Sequence, residues 1–305
     1  MAREREGGEG DLVEIVENLT EIDQLKQNHI LPYKKIVVEN SKFVFHGKNN
    51  ILYLEDGIHI IDSSIDFYGD NNLVYLSSSK DVYHLKISIY NNSVLYFGKN
   101  NYFNGVLNII LSEQTHVFVG NDCLFSFGIW IRTADPHLIY DVESKERKNY
   151  SKSIYIGDHV WVGQNAFLLK GTQVGSGSII GAASVVANKK IPSNTSWAGN
   201  PAKQIGNKIF FISSCVHGFT DEATKRTSKF ENEQWIYQEN EERMDFDLIN
   251  KMFSIGKAED KLKYILDVIN KEIKNRFFLP DNKALIENRK IRKWLLKIGR
   301  LGNIF

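Results

Sequence analysis

Residues 154–186 read IYIGDHVWVGQNAFLLKGTQVGSGSIIGAASVV, and this stretch decides the fold. Counting in sixes from Ile156 meets Val162, Leu168, Val174, Ile180 and Val186, an aliphatic residue every time. The residues that follow are Gly157, Gly163, Leu169, Gly175 and Gly181, so glycine takes four of these five places. A period of six fits neither a helix, at about 3.6, nor a flat strand, at about 2. It fits a β-solenoid, in which each hexad is one short strand and a turn. The aliphatic side chain points into a narrow prism, and glycine gives the bend its backbone freedom, including positive φ. A Gly-rich loop has no reason to keep six aliphatic residues in register.

Working outward, Val119, Phe125 and Ile131 carry the hexad upstream, with Gly120 after the first. Between them and the main run, residues 132–153 break the register with RTADPHLIYDVESKERKNYSKS. Such an excursion from a repeat is a loop on one face, and often the functional one. Residues 33–120 are rich in Val, Ile, Tyr and Phe, interrupted by HGKNN, EDG, YGDNN, YNN and FGKNN. These read as strands ended by Asn, Asp and Gly turns. Their spacing is looser than six, as in Phe97, Phe103 and Ile109, so irregular early coils are expected, with a separate β-sandwich as the alternative.

At the N-terminus MAREREGGEG is charged and Gly-rich and reads as a flexible leader. Leu12, Ile15, Val16, Leu19, Ile22 and Leu25 then predict an amphipathic helix over residues 11–27, capping the open end of the solenoid. Downstream, the solenoid is expected to close near Ile191-Pro192, and KIFFISSCVHGF carries no pattern. Leu262, Ile265, Leu266, Ile269 and Ile273 form a helical stripe, and NRKIRKWLLKIGRLGNIF ends the chain in a basic segment. That segment suits a membrane surface, an anionic polysaccharide or plain packing. The expected organisation is a leader and capping helix over 1–30, a β-helix over 31–206 with its loop at 132–153, and a helical part over 207–305.

The 305 residues, 42% hydrophobic and 25% charged, are ordinary for a soluble globular protein. A net charge of +1 gives no global field to attract nucleic acid, so no nucleic-acid partner is expected. Two cysteines, Cys123 and Cys215, make neither a disulfide framework nor a zinc motif. No apolar run reaches the length of a membrane span, and no signal-peptide core is evident. A cytoplasmic protein is expected, with contact at the inner face of the membrane through the basic segment as an option.

The hexads, together with WAGNPAKQI at Trp197–Ile205, resemble the hexapeptide-repeat acyltransferases. Within that family they are similar to the sugar and polysaccharide O-acetyltransferase branch, including the bacterial polysialic acid O-acetyltransferases. The resemblance covers about residues 117–206. It implies a mainly β protein, a left-handed parallel β-helix working as a homotrimer, with acetyl-CoA as co-substrate and no metal. The implied reaction moves acetyl to a hydroxyl of a glycan, foremost a bacterial capsular or surface polysaccharide.

Such a transfer needs a base, because an alcohol is a poor nucleophile until its proton is removed. Histidine suits the task. In the family the catalytic histidine lies on the loop that leaves the β-helix before the hexads carrying a tryptophan. His137 and Trp161 match that arrangement, which makes His137 the expected general base and Trp161 a residue lining the acetyl-CoA and acceptor site. Asp135 and Asp141 flank His137, and either of them or a backbone carbonyl can hold its second nitrogen. Carried over by position, Gln164 is a pantetheine contact. Ala182 sits where a small residue allows close approach, and Ala183 and Ala187 continue that surface. Lys203 in GNPAKQI is the basic residue near the nucleotide end, with Lys189 and Lys190 as helpers. The family's second basic residue falls on Gly206, and Lys208 is the substitute at hand. Asn104 and Asn108 are candidates for orienting the acceptor.

Three other readings stand beside this one. An acyltransferase on a small acceptor, a nucleotide sugar or amino acid, shares every motif above. Some left-handed β-helix proteins are zinc carbonic anhydrases, and His116, His137 and His159 are the residues that would serve. Their spacings of 21 and 22 depart from the one-hexad separation that such a site needs. A non-catalytic scaffold would keep the solenoid and tolerate loss of His137.

Overall fold

The structure is a computed structural model, and it describes residues 13–31, 34–271 and 273–281. The chain winds through three parallel sheets that form the faces of a left-handed prism. Each coil adds one short strand to the first face and one to the second, and all but one add a strand to the third; the coil of Ser64–Phe67 and Leu73–Leu76 meets the third face only through a bridge between Tyr83 and Ile60. Among the described residues the first and second faces each hold eight strands. The third is split into a pair, Val37–Glu39 and His59–Ile61, and a six-stranded part that begins at Tyr102–Phe103.

In the late coils the hexad reading is realised residue for residue. Ile156, Val162, Leu168, Val174, Ile180 and Val186 all point inward with no exposed surface. Successive coils pair three hexads apart, as in Ile156 with Val174, Val162 with Ile180 and Leu168 with Val186. One correction concerns the glycines at the corner between the second and third faces. A Cβ on Gly120 would lie 2.6 Å from the Asp158 carboxylate, and one on Gly157 would lie 2.7 Å from the backbone nitrogen of Ser176. Close approach of the next coil requires glycine there. The positive φ is taken two residues later, by Asn100, Asp122, His159 and Gly177.

The looser spacing of the early coils has a regularity of its own. On the first face Phe43, Ile65, Ile87, Ile109 and Ile131 pair in sequence at one constant interval, longer than three hexads. Buried asparagines run through these coils as a ladder. Asn72 Nδ2 donates to Asn50 Oδ1 and Asn50 Nδ2 donates to Asn28 Oδ1, each at 2.9 Å. Backbone N–H groups donate to the same oxygens, so amide groups in the wall of the prism stay paired.

At the N-terminal end the structure corrects the expected amphipathic helix. Glu14–Val16 is a strand, antiparallel to Lys42–Phe45, and a short 3₁₀ helix, Leu19–Gln24, follows. The buried Glu14 carboxylate accepts from Asn28 Nδ2 at 2.7 Å and closes the asparagine ladder. The end is capped, but by a strand and a carboxylate, which outcompete helical spacing because the ladder and sheet edge need partners. The solenoid also runs one strand past its expected end, through Thr195–Ala198, before Lys203–Asn207 returns antiparallel.

Beyond residue 207 the described chain has three short helices, α1 (Asp221–Arg226), α2 (Phe246–Phe253) and α3 (Ala258–Tyr264), the last continuing as a π-helical turn to Ile269. Ile273, the last residue of the predicted stripe, lies beyond this helix. The helices α2 and α3 cover the second face. There Tyr53, Tyr75, Tyr96 and Phe118 form a column of rings on successive coils, 4.6–5.3 Å apart. Phe246, Phe253, Ile265 and Phe277 bury the column in a second core. Asp158 and Arg276 lock the two parts through a buried bidentate pair at 2.9 and 3.1 Å. The charged leader and the basic C-terminal segment lie outside the described residues. Among the described residues, no helix is long and apolar enough to cross a membrane.

Candidate active site

The excursion leaves the first face after Trp130–Arg132 and rejoins the second at Ile154–Ile156, so it sits on the corner between them. Two ion pairs hold it down on its own corner. Lys170 pairs with Asp135, and the Arg147 guanidinium grips the Glu113 carboxylate with both Nη atoms. Asn149, which carries no sequence signal, is the internal brace. Its Nδ2 donates to the carbonyl of His137 at 2.7 Å, and its Oδ1 accepts from the Ile139 N–H at 2.9 Å. Arg147 and Ser151 hold the Glu113 carboxyl down to about 2, and Lys170 holds Asp135 below the usual carboxylate range. These carboxylates stay charged across the neutral range and keep the loop pinned.

His137 is exposed at the outer part of this loop, and its imidazole makes no hydrogen bond among the described residues. Neither flanking aspartate orients it. Asp135 is engaged by Lys170, and Asp141 caps its own turn by accepting from the N–H groups of Glu143 and Ser144. Around it Leu138, Ile139, Tyr140, Val142 and Tyr150 expose between 53% and 82% of their surface. So much apolar surface beside one polar group marks a contact site.

Trp161 opens the strand Trp161–Val162 on the third face. Val160 and Val162 point inward, and the indole points out, 37% exposed, with Nε1 donating to Ser126 Oγ at 3.4 Å. Next to it, at the corner between third and first faces, Gln164 and Ala183 meet on consecutive coils through Ala183 N–H to the Gln164 carbonyl, 2.7 Å. Ala182 and Ala183 are exposed and small, and Ala183 holds φ at 54°. This column is a smooth edge onto which a thin extended chain can lie closely.

Lys189 and Lys203 come together elsewhere, in a cavity of about 640 Å³ at the end of the prism. The Lys189 ammonium lies 5.8 Å from the Trp197 ring, and Lys190 and Arg243 add two more cations to the wall. The structure therefore groups the expected residues into three sets. His137 lies on one corner, Trp161 with Gln164, Ala182 and Ala183 on the opposite face and its edge, and the lysines at the end. In a triangular prism a corner faces the third side across the core, so His137 and Trp161 of one chain do not converge.

The three histidines of the zinc reading occupy separate places. His116 is buried in the second face, where Nδ1 accepts from the Val94 N–H and Nε2 bonds to Ser254 Oγ. Burial and the nearby Lys261 push its pKa down to about 3. His159 is stacked between Phe211 and Trp235. Among the described residues no cluster of three ligating side chains is present.

The family model described as bacterial transferase hexapeptide (six repeats) matches residues 153–188. The crystal structure of the polySia specific acetyltransferase NeuO matches with a TM-score of 0.54 and 30% identity, over 66% of this chain and 95% of that one. The chain belongs to the hexapeptide-repeat acyltransferases. A second solved member, the polysialic acid O-acetyltransferase OatWY, matches with a TM-score of 0.54 and 25% identity, over 66% and 94% of the two chains. By sequence, this acyltransferase is 41% identical over 102 residues to the polysialic acid O-acetyltransferase of Escherichia coli O1:K1 / APEC. That alignment spans 33% of each protein, so the chain covers about a third of the curated relative's length.

Proposed function

We propose that this protein transfers acetyl from acetyl-CoA to a hydroxyl of a glycan, foremost a bacterial capsular or surface polysaccharide. The observation that carries the proposal is the division of the candidate residues. The loop corner holds a base without a substrate surface, and the third face and its edge hold a substrate surface without a base. A second copy of the chain resolves this by setting its loop corner against that edge, and a closed ring of three repeats the contact. The apolar rim around His137 supports such a contact. The second face, covered by α2 and α3, is unavailable to it.

In that site the pantetheine arm of acetyl-CoA lies along Gln164, Ala182 and Ala183, and Trp161 flanks the thioester. The lysines at the end of the prism suit its phosphates. His137 of the neighbouring copy takes the proton from the acceptor hydroxyl as its oxygen attacks the thioester carbonyl carbon. The C–O bond forms, the tetrahedral intermediate collapses with cleavage of the C–S bond, and the imidazolium returns its proton to the departing thiolate. Asn149 positions the loop by holding the His137 carbonyl. No covalent acetyl-enzyme is needed. The reaction belongs in the cytoplasm, where acetyl-CoA is made.

The test is release of free thiol from acetyl-CoA by the purified protein with a panel of capsular polysaccharides. Release that depends on a polymer supports the proposal. Silence with every polymer, but release with nucleotide sugars or amino acids, would move the acceptor to a small molecule.

A further inference from the structure

The helix α2 stands beside the corner that carries the loop, and a trough of about 460 Å³ runs between them. Its floor is that corner on four successive coils, at Gln114, residues 151–153, Gly171 and Asn188. At about 4.8 Å from one coil to the next, the trough is about 14 Å long. One wall is the return leg of the loop. Its Ser151 lies two residues beyond Asn149, which holds the His137 carbonyl. The other wall is α2 and its C-cap, through Asp247, Asn250 and Ser254.

Three carboxamides in this lining are each gripped at one end. Asn250 Oδ1 accepts from the hydroxyls of Ser153 at 2.6 Å and Tyr155 at 2.8 Å, and its Nδ2 makes no hydrogen bond among the described residues. Asn188 Oδ1 accepts from Lys152 Nζ at 3.0 Å, which leaves its Nδ2 in the same condition. A Cβ on Gly171 would lie 2.6 Å from that oxygen, so the bare glycine makes room for it. Gln173 Nε2 donates to Asp247 Oδ1 at 3.1 Å, which leaves its Oε1 as an acceptor. The carboxylates of the lining are themselves engaged, Glu113 by Arg147 and Ser151, and Asp247 by Gln173 and by Lys190 at 3.5 Å. The lining therefore offers two amide donors and an amide acceptor whose orientation is already set. An apolar ligand gains nothing from them, whereas a strand rich in hydroxyl groups meets partners that cost little entropy to order.

We propose that this trough holds the acceptor glycan as an extended strand and leads it to the His137 loop. The proposal rests on the acetyl-transfer reading for the identity of the ligand. It gives the C-terminal part a task, since α2 supplies one wall and Asn250 one of the three amides. A trough of this length serves a polymer, because a single sugar would fill a fraction of it.

Binding of sugars by titration calorimetry, without acetyl-CoA, tests the trough independently of the reaction. The probes are the monomers and tetramers of glucose, galactose, N-acetylglucosamine and α2,8-linked sialic acid. One tetramer is expected to bind about tenfold or more tighter than its own monomer, a difference of about 1.4 kcal/mol. Asn250→Asp keeps an acceptor for both hydroxyls and replaces the free donor by an oxygen. Asn188→Gly removes a carboxamide at a corner where φ is 50°, which glycine adopts without strain. Each variant should weaken tetramer binding by about tenfold. Binding of no tetramer, equal affinity for tetramer and monomer, or indifference to both variants would overturn the proposal. Polymer-dependent thiol release with the same KM for polymer in both variants and the parent would remove the trough and keep the transfer reading. Tetramer binding that both variants weaken, with no thiol release from any acceptor, would keep the trough and remove the transfer reading.

Discussion

Early and late coils build the same prism with different sequence economies. In the late coils, at three hexads per turn, the first and second faces bury a single aliphatic side chain each, such as Leu168 and Val174. In the longer early coils each of these faces buries two, such as Ile87 with Ile89 and Leu95 with Phe97. The wider interior needs aromatic filling, and Phe45 stacks on Phe67 within it at 4.6 Å. The wider wall also needs the buried asparagine ladder. The late coils shed that bulk and end in small corner residues, which leaves an edge open. The early coils are the wider and more heavily filled, and the candidate residues of the acetyl transfer sit on the late coils and their loop.

The sharpest way to break that division is His137→Ala. Turnover is expected to fall by about 10² or more, with an unchanged unfolding midpoint. Retained turnover would remove His137 as the base. Next in size is Arg276→Ala, which strands the buried Asp158 carboxylate. A loss of about 3–5 kcal/mol in denaturant unfolding is expected. A loss near zero would mean that the aromatic packing on the second face suffices to hold the C-terminal part.

Leu168→Ala removes the single inward residue of its face and should cost about 2–5 kcal/mol. Asn72→Ala in the early coils deprives the Ser93 N–H of its acceptor and leaves Asn50 Oδ1 with only the backbone N–H of residue 72 as donor. It should cost about 1–3 kcal/mol while leaving turnover per folded molecule intact. A fall in turnover for Asn72→Ala that exceeds its loss of folded protein would contradict the division.

The smallest effect is on pH dependence. Folded His116 stays neutral down to about pH 3, whereas the unfolded histidine takes a proton near pH 6.5. Between those values the unfolded chain binds more protons, so stability falls as pH falls and is level above the upper value. Glu113 acts in the same direction at lower pH. Its contribution is complete above about 4.5 and is lost as pH falls toward about 2. His116→Gln should flatten the upper part of the melting-temperature profile. A profile identical to that of the parent would assign the slope to other groups.

The late coils are legible in the sequence because one inward residue per face leaves a strict period of six. The early coils are not, because two inward residues per face spread the signal over a longer turn. The clue lies in the corners, since Gly47, Gly69 and Asn91 recur once per coil. The N-terminal strand escapes a sequence reading because Ile15 and Val16 satisfy helical spacing by chance. The pairing with Phe43 and Val44 that decides the matter lies on a strand much further along the chain. His137 and Trp161 are legible through the family pattern alone. Asn149 and the stacked His159 have no local signature, because each acts on a partner that only the folded chain brings near.

The central claim is that His137 and the third-face edge meet only across two copies. Complementation tests it directly. His137→Ala spoils the base of one copy, and Ala182→Trp blocks the edge of another, so each variant alone should be inactive. Co-assembled in equal amounts, they should recover about a quarter of the parent activity, because some contacts pair an intact loop with an intact edge. Mixed assemblies that form, as shown by mass, and yet remain inactive would contradict the account.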